Sequence, residues 1–170
     1  LTISNNTIVR NSGSGIVIGA LPGQMCGGNA TINVTNNYIA DNSSGTGGGI
    51  YADTGQMTVN FRYNRIHNNS ATDGSALYIG GVSNGVVTYE YNTITGGTGT
   101  SLIFKDPAGD PTIRNNNFVH KSETYLISGS GNTETFENNW WGTTDTTNLD
   151  ALIYDWNDNI TKGLVDYTPF

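Results

Sequence analysis

The sequence predicts an all-β fold, a parallel β-helix of about six coils, from its composition, an Asn-centred repeat and a second recurring apolar block. Only 12% of the 170 residues are charged, 23 are Gly, and Asn and Thr are abundant. Long helices favour Ala, Leu, Glu and Lys, so this composition disfavours them. It is instead typical of short strands joined by tight turns.

The repeat consists of an apolar residue, an Asn three positions later and a second apolar residue two positions after that Asn. Its six copies are Ile3–Ile8, Val34–Ile39, Phe61–Ile66, Tyr89–Ile94, Ile113–Phe118 and Phe136–Trp141. Subtracting successive positions of the repeat Asn residues (6, 37, 64, 92, 116 and 139) gives spacings of 31, 27, 28, 24 and 23. Such periods are typical of solenoids. Coils stacked about 4.8 Å apart would align the Asn side chains in a hydrogen-bonded ladder beside a buried apolar column.

A second apolar block follows each of the first five copies and supplies another strand per coil. These blocks begin at Ile16, Ile50, Leu77, Leu102 and Leu126. The alignment is supported by the outward position after each leading apolar residue, which reads Ser4, Thr35, Arg62, Glu90, Arg114 and Glu137. The last four alternate in charge, and stacked opposite charges help to fix a register.

We expect one domain, with coils over residues 1–141 and a C-terminal capping segment over 142–170. A solenoid needs such a cap to cover its last apolar face, and we expect Trp140, Trp141 and Trp156 to serve in the cap and core. The chain opens inside a strand-like pattern at Leu1–Ile3, which suggests a piece of a larger protein. Its open first coil would then suit end-to-end or neighbouring-domain contact.

The charge balance excludes one class of partner, since a net charge of −7 with only seven Lys and Arg argues against nucleic acid. No apolar run approaches the roughly 20 residues that a membrane span requires. Six Asn-X-Ser/Thr sequons fit an exported protein, and begin at Asn5, Asn29, Asn33, Asn42, Asn68 and Asn159. We therefore expect an extracellular or cell-surface location.

These repeats resemble the pectin-lyase-like right-handed parallel β-helix superfamily over nearly all 170 residues. The closing segment, with Asn138–Thr143 and Gly163–Phe170, resembles adhesin-like surface proteins of archaea and bacteria. The superfamily resemblance implies that the strands beginning at Ile16 and its equivalents form the sheet whose outer face holds the active groove in polysaccharide-degrading members. Two outward columns on that face are then Val17, Tyr51, Tyr78, Ile103 and Ile127, and Gly19, Asp53, Gly80, Lys105 and Gly129.

The candidate ligand-binding residues are Tyr51, Asp53, Tyr78 and Lys105, because stacked aromatic side chains with charges at their edge suit a glycan or a protein partner. The leading hypothesis is a binding or structural module of an adhesin-like surface protein.

The alternative is a polysaccharide lyase or glycoside hydrolase. Hydrolysis generally needs two carboxylates about 5–9.5 Å apart; Asp53 is the candidate on the sheet, and Asp106 or Asp73 could supply the second. We expect no cofactor. Calcium is the alternative, because four C-terminal aspartates could bind it: Asp145, Asp150, Asp155 and Asp158. No metal site is assigned.

Overall fold

The structure, a computed structural model, describes residues 1–19, 30–82, 85–105, 111–119, 125–128 and 133–170. Its first strands are β1 (Thr2–Ser4), β2 (Thr7–Val9), β3 (Ile16–Ile18), β4 (Thr31–Thr35), β5 (Tyr38–Ala40), β6 (Ile50–Gly55), β7 (Thr58–Arg62), β8 (Arg65–His67) and β9 (Leu77–Val82). They are followed by β10 (Val86–Glu90), β11 (Thr93–Thr95), β12 (Leu102–Lys105), β13 (Thr112–Arg114), β14 (Asn117–Val119), β15 (Tyr125–Ser128) and β16 (Thr133–Thr135). The chain ends with helix α1 (Thr146–Leu152), β17 (Ile153–Tyr154) and β18 (Leu164–Asp166).

The strands form three parallel sheets that run along a solenoid. Sheet A has the order β1-β4-β7-β10-β13, sheet B the order β2-β5-β8-β11-β14, and sheet C the order β3-β6-β9-β12-β15-β17. Neighbouring strands in each sheet come from successive turns of the chain. The predicted all-β parallel β-helix is therefore confirmed, over about five turns. Its right-handed sense stays a prediction.

The register of sheets A and B is the one that the repeat predicts. Val34 pairs with both Ile3 and Phe61, and Tyr89 pairs with Phe61 on the next coil. The second apolar residues form an interior column, which consists of Ile8, Ile39, Ile66, Ile94, Phe118 and Trp141. All but Ile8, at the open end, are buried, and each such side chain contributes about 1.5–3 kcal/mol by leaving water.

The repeat Asn residues form the predicted ladder, here named the first Asn ladder (Asn6, Asn37, Asn64, Asn92, Asn116 and Asn139). The side-chain oxygen of Asn64 accepts from both the backbone N–H and the side-chain amide of Asn37, each at 3.0 Å. The Asn64 amide in turn donates to the Val34 carbonyl at 2.8 Å and to the Asn92 side-chain oxygen at 3.0 Å. Buried polar groups are stable only when they are hydrogen-bonded, and this ladder achieves that on every coil.

A second Asn ladder, which the repeat analysis missed, joins sheets B and C. The Asn42 oxygen accepts from the backbone and side chain of Asn11 at 3.0 and 2.8 Å. The Asn42 backbone and amide donate in turn to the Asn69 oxygen at 3.0 and 2.9 Å. Asn42 is fully buried, so this sequon residue serves the interior of the fold.

The sharp turns are made by the residue before each ladder Asn. At the turn from sheet A to sheet B, named the A–B corner, this residue has φ between 56° and 58° in all six copies of the repeat: Asn5, Asn36, Tyr63, Tyr91, Asn115 and Asn138. The ladder Asn itself is not among the residues with positive φ. The ladder Asn instead points its amide inward along the stack.

The C-terminal segment packs against the last coils. Asp145 caps helix α1 by accepting a hydrogen bond from the Thr147 N–H at 3.0 Å. Strand β17 extends sheet C beside β15, and β18 pairs with β16. Trp141 is buried as expected, but Trp140 and Trp156 are 44% and 49% exposed, so their assignment to the core is wrong. In the part of the chain that is described, no helix has the length and apolar character needed to cross a membrane.

Candidate ligand-binding surface

Tyr51 and Tyr78 lie next to each other on the outer face of sheet C, as the sequence predicted. They pair directly between β6 and β9, and Val17 continues the column on β3. Their ring centroids are 5.3 Å apart and their planes differ by 5°. Rings this close and this parallel lie face to face, so each ring shares one face with the other. The Tyr78 ring extends along its own strand toward Gly80.

Two glycine turns run alongside this Tyr pair. Gly47 and Gly74 have φ of 64° and 65° and precede β6 and β9. A Cβ on Gly47 would come within 2.6 Å of the Tyr51 Cβ, and one on Gly74 within 2.8 Å of the Tyr78 Cβ. Only glycine therefore lets each turn pass so close to its Tyr, which fixes the position of both rings.

Asp53 is exposed at the edge of the same surface, and its strand neighbours carry no side chain. It lies between Gly19 and Gly80 on adjacent coils, and the Tyr78 ring lies over Gly80, since a Cβ there would come within 3.0 Å of the ring and 3.6 Å of its hydroxyl. Partial burial raises the pKa of the Tyr51 hydroxyl above its usual range, and the charges of Asp53 and Tyr78 add to this shift. The hydroxyl therefore stays protonated and can donate a hydrogen bond at neutral pH.

The register of sheet C departs from the prediction on one coil. Ile103 pairs with Leu126, so placing Ile127 in the column with Tyr78 is wrong by one residue. Such a slip moves a side chain to the opposite face of a sheet. The backbone of Lys105 lies on β12 in register with Ser128, but its side chain is outside the described part of the structure.

The described strands of sheet C carry one of the candidate catalytic carboxylates. Asp53 is the only carboxylate on the described strands of sheet C, and Asp106 lies outside the described residues. The hydrolase or lyase alternative therefore stays a prediction.

The C-terminal aspartates have structural partners. Asp155 is buried and accepts from the backbone N–H groups of Asn157 and Val165 at 2.8 and 3.0 Å. Asp150 accepts from the Tyr167 hydroxyl at 2.6 Å, and this bond, with burial and nearby aspartates, raises the pKa of Tyr167 to about 12. Among the described residues, no three His, Cys, Asp or Glu side chains are grouped to hold a metal ion.

A second pair of stacked Tyr side chains, which the sequence reasoning missed, lies at the A–B corner. Tyr63 and Tyr91 have ring centroids 5.2 Å apart and planes 12° apart, and they are 57% and 48% exposed. A bulky residue in the left-handed conformation costs about 1–3 kcal/mol. The only sequence signal is that two coils carry Tyr at the position where the other four carry Asn.

Ion pairs lie beside this second pair and confirm part of the predicted charge column. Glu90 accepts from Arg62 at 2.9 Å and from Arg114 at 2.6 Å. Glu90 is buried rather than exposed, because the two long Arg side chains cover it. The hydrogen bond to Glu90, and then its charge, raise the pKa of Arg114. Within the described residues, Glu137 makes no ion pair.

Comparison with known protein families, with curated proteins and with solved structures finds no match. The assignment of function therefore depends on the surfaces of the chain itself. Two of these surfaces combine aromatic rings with charge, one on sheet C and one at the A–B corner.

Proposed function

We propose that the chain is an extracellular recognition module, a rigid β-solenoid whose sheet C face binds an uncharged glycan. The observation that carries this proposal is the surface formed by Tyr51, Tyr78 and Asp53, named the sheet C site. The stacked Tyr side chains on adjacent coils, and the exposed Asp53 carboxylate beside them, are hydrogen-bonding groups held in place by the strands of sheet C.

The chemistry of the sheet C site favours sugar hydroxyl groups. The two Tyr hydroxyls donate and accept hydrogen bonds, and the Asp53 carboxylate accepts from pairs of hydroxyls as they occur on pyranose rings. The charge of Asp53, in a chain with a net charge of −7, disfavours an acidic sugar at this site. An adhesin-like surface role is the finer form of the proposal, and the closing-segment resemblance supports it.

Location outside the cell is supported by two exposed sequons. Asn5 and Asn68 are exposed on turns, where an attached glycan would meet solvent. Asn42 gives no such support, because its side chain belongs to the second Asn ladder.

The sheet C site is tested on an array of neutral glycans, followed by affinity measurement on the best ligand. The double variant Tyr51→Phe/Tyr78→Phe keeps the stacked rings and removes both hydroxyls. We expect about tenfold weaker binding, since each lost hydrogen bond contributes about 0.5–1.5 kcal/mol. Tyr51→Ala/Tyr78→Ala should abolish binding, as should Asp53→Asn combined with the Phe pair.

Val86→Ala is the matched control, because Val86 is 51% exposed on sheet A and lies away from this face. If the Ala pair binds neutral glycans as well as the control does, the sheet C site is refuted. A protein ligand found by adhesion assays in place of any glycan would overturn the choice of ligand. Release of reducing ends or unsaturated products from a polysaccharide would replace the binding role with catalysis.

A further inference from the structure

The A–B corner carries two residues that the turn itself does not require. Four coils make this turn with Asn, which adopts a positive φ readily, while Tyr63 and Tyr91 hold φ of 58° and 57°. The bulky side chains are thus placed in an unfavourable backbone conformation and are left largely exposed. An outlier of this kind points to a role outside folding.

The stacked pair leaves one open ring face at each end. Residues of this column repeat at the strand spacing of about 4.8 Å, so rings 5.2 Å apart share their inner faces. The outer face of Tyr63 is turned toward Asn36 on the preceding coil, and Asn36 is short and exposed. Because the Asn side chain is shorter than the Tyr ring, the outer part of this Tyr63 face is left uncovered, and we call the space beside it a slot.

The guanidinium group of Arg65 flanks this slot, which we name the corner slot (Asn36, Tyr63 and Arg65). Arg62, on sheet A, pairs with the buried Glu90 on the following coil and so reaches away from Asn36. Arg65 approaches from sheet B, where it lies 5.7 Å above the Tyr38 ring. The strand neighbours of the two arginines on the preceding coil, Thr35 and Tyr38, are uncharged. Arg65 has no ion-pair partner within the described residues, so the corner slot is locally positive in a chain with a net charge of −7.

We propose that the corner slot binds an anionic sugar, a pyranose that carries a carboxylate or a sulfate within a polysaccharide chain. The sugar ring stacks on the open face of Tyr63, and its anion pairs with Arg65. Guanidinium binds both oxyanions through paired hydrogen bonds, and an aromatic face suits the C–H side of a sugar. The Asn36 amide supplies hydrogen bonds to the ring hydroxyls.

This ligand differs in charge from the one proposed for the sheet C site. The corner slot joins sheets A and B, whereas the sheet C site occupies the outer face of the third sheet. One bound sugar cannot touch both, so either proposal can fail while the other stands.

The test measures binding of the full chain to immobilised heparin, hyaluronan, dextran sulfate and uncharged dextran, each at two salt concentrations. We expect binding to at least one of the three anionic polymers, while any binding to dextran, which would occur through the sheet C site, should be unchanged in Arg65→Gln. Hyaluronan carries only carboxylates and dextran sulfate only sulfates, so these two arms identify the anion. Arg65→Gln and Tyr63→Asn should each weaken binding about tenfold or more.

Tyr63→Asn introduces the residue that four other coils use at this turn, so its urea midpoint should not fall below that of the wild type. Arg10→Gln is the matched control, because Arg10 is also exposed with φ of 60° but lies at the turn from sheet B to sheet C. Its affinity should stay within about twofold of the wild type. If Tyr63→Asn binds as tightly as the wild type, the interaction depends on charge alone and the proposal is overturned. Equal losses with Arg10→Gln, or binding only to an acidic protein, would overturn it as well.

Discussion

Replacing Asn64 by Ala in the middle of the first Asn ladder should destabilise the protein strongly. The change removes four hydrogen bonds, two accepted from Asn37 and two donated to Val34 and Asn92. The backbone N–H of Asn37 and one N–H of its side-chain amide then lose their acceptor in a buried site. Each unsatisfied buried donor costs about 1–3 kcal/mol, so we expect a loss of about 2–6 kcal/mol in the free energy of unfolding.

The measurement is urea unfolding followed by far-UV circular dichroism, with Asn6→Ala as the matched control. Asn6 occupies the same repeat position on the exposed first coil, where its amide donates to Ser4 and Asn37. Because water can replace these bonds, the control should lose no more than about 1 kcal/mol. If Asn64→Ala falls within 1 kcal/mol of Asn6→Ala, the ladder does not stabilise the stack as argued.

Three further changes test neighbouring parts of the fold by the same unfolding assay. Asn64→Asp places a carboxylate oxygen against the Val34 carbonyl and the Asn92 oxygen, which raises the folded pKa of the new group above about 3.9. The loss in free energy of unfolding relative to the wild type should therefore be small at pH 3.5 and should grow as the pH rises to 7. An equal loss at both pH values would contradict this expectation. Tyr89→Phe should stabilise by about 1–3 kcal/mol, because the buried Tyr89 hydroxyl has no hydrogen-bond partner among the described residues. Burial raises the pKa of Tyr89, so wild-type stability falls as the pH exceeds the unfolded value of about 10, and the advantage of Phe should widen there rather than narrow. Glu90→Gln removes the charge between Arg62 and Arg114 and should lower the urea midpoint by less than Asn64→Ala does, with a smaller effect in high salt.

The sequence predicted sheets A and B well because the distance from apolar residue to ladder Asn is constant. It failed on sheet C after Ile103, since Tyr125-Leu126-Ile127 is an apolar run without alternation and gives no sign of which side faces inward. The second Asn ladder could have been predicted. Each of its members lies five residues after a member of the first ladder and, as in the repeat, three residues after an apolar residue: Asn11, Asn42 and Asn69.

The candidate site was predicted in part. Tyr51 and Tyr78 followed from strand register alone, whereas Tyr63 and Tyr91 occupy a position that the repeat leaves variable. Their significance depends on the backbone conformation, which no local pattern reveals. The burial of Glu90 could not be predicted either, because an outward position on a strand predicts exposure. Glu90 is buried because the side chains of Arg62 and Arg114 lie over it.

The first Asn ladder also gives the rod a direction. Between successive ladder side chains, from Asn6 through Asn139, the amide of the earlier coil always donates and the side-chain oxygen of the later coil always accepts. The ladder is therefore directional along the rod. A side chain that continued it beyond Asn6 would have to present an amide N–H, rather than an oxygen, to the Asn6 side-chain oxygen.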